Sequence, residues 1–158
     1  MTRSCAVLAV CVLLLACACH EADHMGSPAP VGALSYSAYD EAGRLVVRGW
    51  IWLDIVLIDG AAQAGPGVPT PLEFSGEWEL RALVDPARVG PQNGKGTLAG
   101  AFVEDGVAVD LQPGGADDNV RLFGKLSGGG IDPLRYEGTW RWETLIGPRA
   151  EGTFVASR

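Results

Sequence analysis

Beyond residue 24 the chain has neither cysteine nor histidine: Cys5, Cys11, Cys17 and Cys19 crowd the N-terminal end, and His20 and His24 follow directly. A domain built from the remainder has no disulfide to staple it, no serine or cysteine triad that relies on imidazole, and no usual zinc site. Clusters of basic residues are also missing. Twelve Lys and Arg stand against nineteen Asp and Glu, a formal net charge of -7, so nothing offsets the repulsion of a phosphate backbone and nucleic acid is set aside as a partner. No phosphate-cradling glycine motif is present. No stretch carries a helical period with caps; DPARVGPQNG has room for one turn between Pro86 and Pro91. No cofactor or metal is expected either. His20 and His24 lie in a Gly/Pro-flanked linker and read as solvated, and Asp117-Asp118-Asn119 lacks the spacing of a calcium loop and reads as a turn.

What is present begins with MTRSCAVLAVCVLLLAC, in which Arg3 precedes a ten-residue apolar core from Ala6 to Leu15 and a small residue precedes a cysteine. This is the pattern of an export signal, and the apolar core is shorter than the roughly 20 residues of a spanning helix. Leu14-Leu15-Ala16-Cys17 resembles the lipobox of bacterial lipoproteins, with Cys19 offering a second, poorer frame. The resemblance implies that residues 1–16 are a signal peptide and that Cys17 is the site of lipid attachment. The protein would then be lipid-anchored in the bacterial envelope, at the outer membrane, periplasm or cell surface. Residues 17–33 are mixed polar and Pro/Gly-rich without periodicity and read as a flexible tether. Residues 34–158 form one domain, long enough to bury a core without disulfides.

Three segments align without gaps: LVVRGWIWLDIVL from Leu45, LEFSGEWELRALV from Leu72 and LRYEGTWRWETLI from Leu134. Apolar residues at every second position argue strands with one buried face. In the third copy Leu134, Tyr136, Gly138, Trp140 and Trp142 share one face and five charged or polar residues the other. A charged outer face is the opposite of a lipid-facing barrel wall. Glycines in the middle of the inward faces let strongly coiled strands bend, as closure requires. Strands are expected near 34–39, 44–57, 72–84, 96–104, 107–112, 119–127, 134–146 and 151–157. The fold class is therefore all-β, an antiparallel up-and-down meander closing into a small barrel of about eight strands, with a β-sandwich as the alternative. Asp105-Gly106 is expected as a two-residue hairpin pairing Phe102 with Val109 and Gly100 with Leu111.

Phe74, Trp78, Phe102, Tyr136, Trp140 and Trp142 fall on inward positions. They either fill the barrel or line a pocket for one small apolar ligand. In the first repeat Leu45, Val47, Ile51 and Leu53 take the inward slots, which leaves Trp50 and Trp52 outward as a candidate partner surface, covered by the loop from Gly60 to Pro71, or turned inward by a one-residue bulge. The outward carboxylates Glu77, Glu79, Glu137 and Glu143 give poor support for general-acid work, so no catalytic residue is assigned.

From Gly96 to Arg158 the chain resembles a group of exported bacterial proteins built of repeated hairpins ending in a G-T-F-x-A strand, here Gly152-Thr-Phe-Val-Ala156; that resemblance implies architecture only. Gly76-Glu-Trp78 and Gly138-Thr-Trp140 resemble the G-x-W of calycins, the lipocalin and avidin-like class that binds small apolar ligands. The expectation is a non-catalytic, lipid-anchored envelope protein acting as a binding or structural module, with an envelope protein as a possible partner. A carrier of an apolar molecule in a calycin-like lumen is the alternative, and an enzyme without histidine or cysteine chemistry trails.

Overall fold

The two-residue alternation resolves into eight strands in chain order: β1 (Leu34–Asp40), β2 (Leu45–Asp54), β3 (Glu73–Ala82), β4 (Gly94–Val103), β5 (Gly106–Asp110), β6 (Asn119–Gly129), β7 (Asp132–Thr144) and β8 (Gly147–Ser157). The structure, a computed structural model, describes residues 28–55, 73–115, 117–129 and 132–158. The signal, Cys17, His20, His24 and the segment 56–72 lie outside the described residues. Each strand pairs antiparallel with its neighbours, and β8 returns to β1 through Tyr36↔Ala156 and Ala38↔Phe154, so the sheet is a closed barrel. An eight-stranded antiparallel barrel is compatible with the calycin architecture, and closure leaves no sandwich.

Closure at this strand number requires tight coiling, and the inward glycines supply it. Gly124 on β6 faces Gly138 on β7. A Cβ placed on Gly138 would run into the Phe123 carbonyl oxygen and lie 2.5 Å from the Gly124 Cα. Any side chain here would push the two backbones apart. At Gly96 and Gly100 the missing side chain makes room for a ring instead: Trp78 lies over the first and Phe74 over the second.

Register breaks move two sequence expectations. Between Ala38 and Tyr39 the β1–β2 ladder shifts, so Ala38 pairs with Val47 but Tyr39 with Leu45. Val46 and Val47 both become buried, and Leu45 sits opposite outward Tyr39, not on the inner face. The bulge therefore lies upstream of Trp50 and Trp52 and leaves them on the outward slots, opposite Glu79 and Glu77. At the β4–β5 hairpin, Glu104-Asp105 form the turn, and Phe102 pairs with Val107 and Gly100 with Val109. This is a slip of two residues from the expected pairing, which keeps every side chain on its expected face. Gly106 is used for close approach, because a Cβ there would strike the Gly124 carbonyl oxygen.

Connections β1–β2, β3–β4, β5–β6 and β7–β8 share one end of the barrel. The first is a tight turn in which Asp40 Oδ1 accepts from the Ala42 and Arg44 amides, both at 3.0 Å, and Gly43 takes φ of 74°. The longest of them holds a 3-10 turn, Pro86–Arg88, capped by Asp85, the single turn of helix expected from DPARVGPQNG. This connection enters the barrel mouth: Val89 and Gln92 are fully buried. At the opposite end Leu53, Phe74, Phe102, Leu126 and Leu134 are partly buried against the core.

Candidate functional site

The inner face is filled. Tyr36 stacks on Phe154 at 5.8 Å between ring centroids, and Tyr136 meets the same Phe154 edge-on at 4.7 Å. Each polar tip in this apolar interior is tied down, as burial demands. Tyr36 donates to Gln92 Oε1 (2.9 Å) and Tyr136 to the Val107 carbonyl (3.0 Å). Burial pushes both phenols above the ordinary tyrosine range, and for Tyr36 the neighbouring Tyr136 adds to the effect. Trp78 Nε1 donates to the Leu111 carbonyl (2.8 Å) and also reaches that of Thr97 (3.2 Å); Trp140 Nε1 donates to the Tyr39 carbonyl (2.9 Å).

The six aromatics expected either to fill the barrel or to line a pocket divide between two places. Trp78, Tyr136, Trp140 and Trp142 are buried. Phe74 and Phe102 are only partly buried, packed edge-to-face at 5.7 Å near the opposite end of the barrel. Phe74 borders an open groove of about 690 Å³ with Gly100, Val109, Leu122 and Phe123, and Trp140 and Trp142 border a somewhat larger cavity. It is a cleft of about 790 Å³ at the end where the β3–β4 connection enters, lined by Val46, Val84, Val89, Trp140, Trp142 and Ala150 below and by Asp40, Glu41, Arg44, Arg88, Arg149 and Glu151 at its rim.

Two register breaks shape this cleft. One turns Val46 inward from β2. The other lies where β7 pairs β8: Trp142 pairs with Ala150 and Glu143 with Pro148, leaving Arg149 as the extra residue. Its guanidinium lies over the Trp142 ring, 5.3 Å from the centroid, a cation–π geometry. Trp142 is further fixed because its Nε1 donates to Asp118 Oδ1 at 2.6 Å and because Gly90, at φ of 66°, gives its ring space that a Cβ would fill. Bulges cluster at barrel rims beside binding sites because they re-aim side chains.

The rim charges divide into paired and unpaired groups. Arg44 and Asp40 form an ion pair at 2.7 Å, and the Arg44 side-chain hydrogen bond holds the Asp40 carboxyl below the usual carboxylate range. Glu151 is held by Arg141 at 3.1 Å. Arg88 and Arg149 have no carboxylate partner among the described residues. The residues of Asp117-Asp118-Asn119 serve the turn: Asp117 Oδ1 accepts from the Leu145 amide and Asn119 Oδ1 from the Gln112 amide. Among the described residues no group of three or more carboxylate, cysteine or histidine side chains is placed to hold a metal ion.

Trp50 and Trp52 occupy the outer face but are not freely exposed. Trp50 is 7% exposed and Trp52 half-buried. Residues 28–33, read from the sequence as the end of a flexible tether, pack on the barrel there. Pro28 and Pro30 line a small pocket with Trp50, and the Gly32 carbonyl accepts from Arg158 Nε. The loop from Gly60 to Pro71, expected as an alternative cover, lies outside the described residues. The buried Trp50 Nε1 has no hydrogen-bond partner among the described residues.

Sequence reasoning missed Val46, Val89, Gln92, Arg88 and Arg149. The only available signal was the one-turn helix in DPARVGPQNG, which placed Arg88 on a fixed support. Neither a protein-family model, a curated protein nor a solved structure shows significant similarity to the chain.

Proposed function

We propose that this protein is a lipid-anchored, non-catalytic binding module of the bacterial envelope, and that it takes its ligand in the cleft at the loop-rich end, not in the barrel lumen. One contrast carries the reading. The lumen is occupied by rings whose polar tips are bonded to the protein itself, whereas the end cleft, at about 790 Å³, lies within the size range of small-molecule sites. A lumen ligand would have to displace Tyr36, Trp78 or Tyr136 and strand a buried hydrogen-bonding group, at a cost of about 1–3 kcal/mol for each.

Two acyl chains or more on Cys17 would supply stable anchoring, since each buried methylene contributes about 0.8 kcal/mol. The lipobox resemblance supports this part of the reading. The outward charges on β7, Arg135, Glu137 and Arg141, fit a domain held beside the membrane and not embedded in it.

Native mass spectrometry of protein extracted from its own membranes tests the reading. A small molecule should be retained by the wild type and lost on Arg149→Gln. Retention through that change but loss on Trp78→Phe would move the site into the lumen. Fractionation of Cys17→Ser tests the anchor: membrane association undiminished by the change would refute it.

A further inference from the structure

Resting on that reading of the cleft, we infer the chemical class of its ligand: a small amphipathic anion, a carboxylate on an apolar body, with its head at Arg88 and Arg149 and its body along Val46, Val84 and Val89 towards Trp140.

The argument starts from charge. In a chain of net charge -7, four of the nine described arginines are neutralised where they stand. Arg44, Arg121, Arg135 and Arg141 each contact a carboxylate at 3.1 Å or less. The cleft is different. After Arg44 and Asp40 pair with each other and Glu151 pairs with Arg141, two guanidiniums, Arg88 and Arg149, face one remaining carboxylate, Glu41, around the rim. Glu41 sits on the β1–β2 turn and is exposed, as are both arginines, so the rim keeps one net positive charge.

Geometry adds to charge. Arg149 is not a loose surface side chain. It is the extra residue of the β7–β8 bulge, and its guanidinium lies over Trp142. A guanidinium held near an aromatic face by cation–π attraction is restrained in position, and its planar fork offers two N–H donors that a carboxylate can take side by side. Trp142 cannot swing away, because Asp118 holds its N–H and Gly90 packs on its ring. Arg88 is carried on the 3-10 turn, whose start is fixed by Asp85 accepting from the Ala87 amide at 3.0 Å. Two cations on rigid supports lose less freedom on binding than two on mobile loops.

Below the rim the lining turns apolar. Val46 is present only because the β2 bulge points it inward, and Val84, Val89, Trp140 and Ala150 complete the floor. A free inorganic anion would leave this floor unused. A neutral apolar molecule would leave the guanidiniums unpaired. An acid with an apolar tail uses both.

The test uses the full-length protein and follows tryptophan emission as three probes are added separately below any micelle-forming concentration: laurate, dodecanol and inorganic phosphate. Laurate should bind saturably, with affinity falling about tenfold in Arg149→Gln and in Arg88→Gln and weakening as salt rises. Dodecanol should bind at least about tenfold more weakly, and phosphate not measurably. Both arginines are exposed, and unchanged melting temperatures show that the variants fold; Arg149→Lys, which keeps charge but loses the planar fork, should recover only part of the binding. Dodecanol binding as tightly as laurate overturns the anion inference while the cleft reading stands. Phosphate binding as tightly as laurate overturns the amphipathic part. If neither laurate nor dodecanol perturbs the protein, the cleft reading falls with the inference.

Discussion

Tyr36 on β1 and Gln92 on the β3–β4 connection, 56 residues apart in sequence, meet inside the barrel, where the phenol donates to Oε1 at 2.9 Å. The same Gln92 donates through Nε2 to the Val89 carbonyl at 3.2 Å. One buried amide thus links the plug to the wall and shuts the lumen beneath the cleft.

Replacing Gln92 with Ala should therefore destabilise the domain by about 1–3 kcal/mol, because it leaves the Tyr36 hydroxyl and the Val89 carbonyl buried without partners. Tyr36→Phe on top of it should cost less than it does in the wild type, since the hydroxyl it removes is already unpaired. Urea unfolding of the two single variants and the double variant measures the coupling.

Alkaline pH should unfold the barrel through its buried phenols. The unfolded chain releases tyrosine protons near pH 10, while Tyr36 and Tyr136 hold theirs to higher pH in the folded state. Their contribution is fully present below pH 10 and is lost as pH rises towards the folded values. Each phenol should remove about 1.4 kcal/mol per pH unit over that window. Urea midpoints measured across pH 9 to 12 check the slope, and Tyr136→Phe should halve it.

The five tryptophans divide by the fate of their N–H groups. Trp50→Phe removes a buried donor that has no partner among the described residues, so its stability should stay within about 1 kcal/mol of wild type. Trp78→Phe removes a donor bonded to the Leu111 carbonyl and opens space over Gly96, and should cost about 2–4 kcal/mol. Thermal melts of the two variants side by side give the comparison.

Gly138→Ala should be among the most damaging single changes, at least about 3 kcal/mol, because its methyl would sit against the Phe123 carbonyl and the Gly124 Cα on the neighbouring strand. Gly43→Ala puts a methyl into open space and bears only the strain of φ at 74°. Expression and urea midpoints of the pair separate the two roles of glycine.

The architecture was legible because the signals that specify it are local. Alternation in the Leu134 repeat marks β7, and mid-strand glycines mark where the sheet must coil. Trp78, Tyr136, Trp140 and Trp142, given inward positions on that basis, are buried. The site was not legible, because it depends on register. Nothing in LVVRGW announces that Val46 and Val47 both turn inward, or that Arg149 becomes an extra residue facing Trp142. A bulge is decided by how two distant strands meet. Gln92 escaped for a related reason: in PARVGPQNG it reads as a polar turn residue, and only the Tyr36 hydroxyl across the barrel makes its burial tolerable. Alternation left the side taken by Trp50 open between an outward slot and a bulge turning it inward, and its neighbours Pro28 and Pro30 come from a stretch with no periodicity.

The tryptophans also supply the most direct test of where a ligand sits. In a proton–nitrogen spectrum their five indole N–H groups report on separate places: Trp142 and Trp140 on the cleft, Trp78 on the lumen, Trp50 and Trp52 on the outer face. On titration with laurate or dodecanol, the account predicts that the Trp142 indole signal moves first and furthest, while that of Trp78 stays in place. Movement of Trp78 with Trp142 unchanged would put the ligand inside the barrel and contradict it.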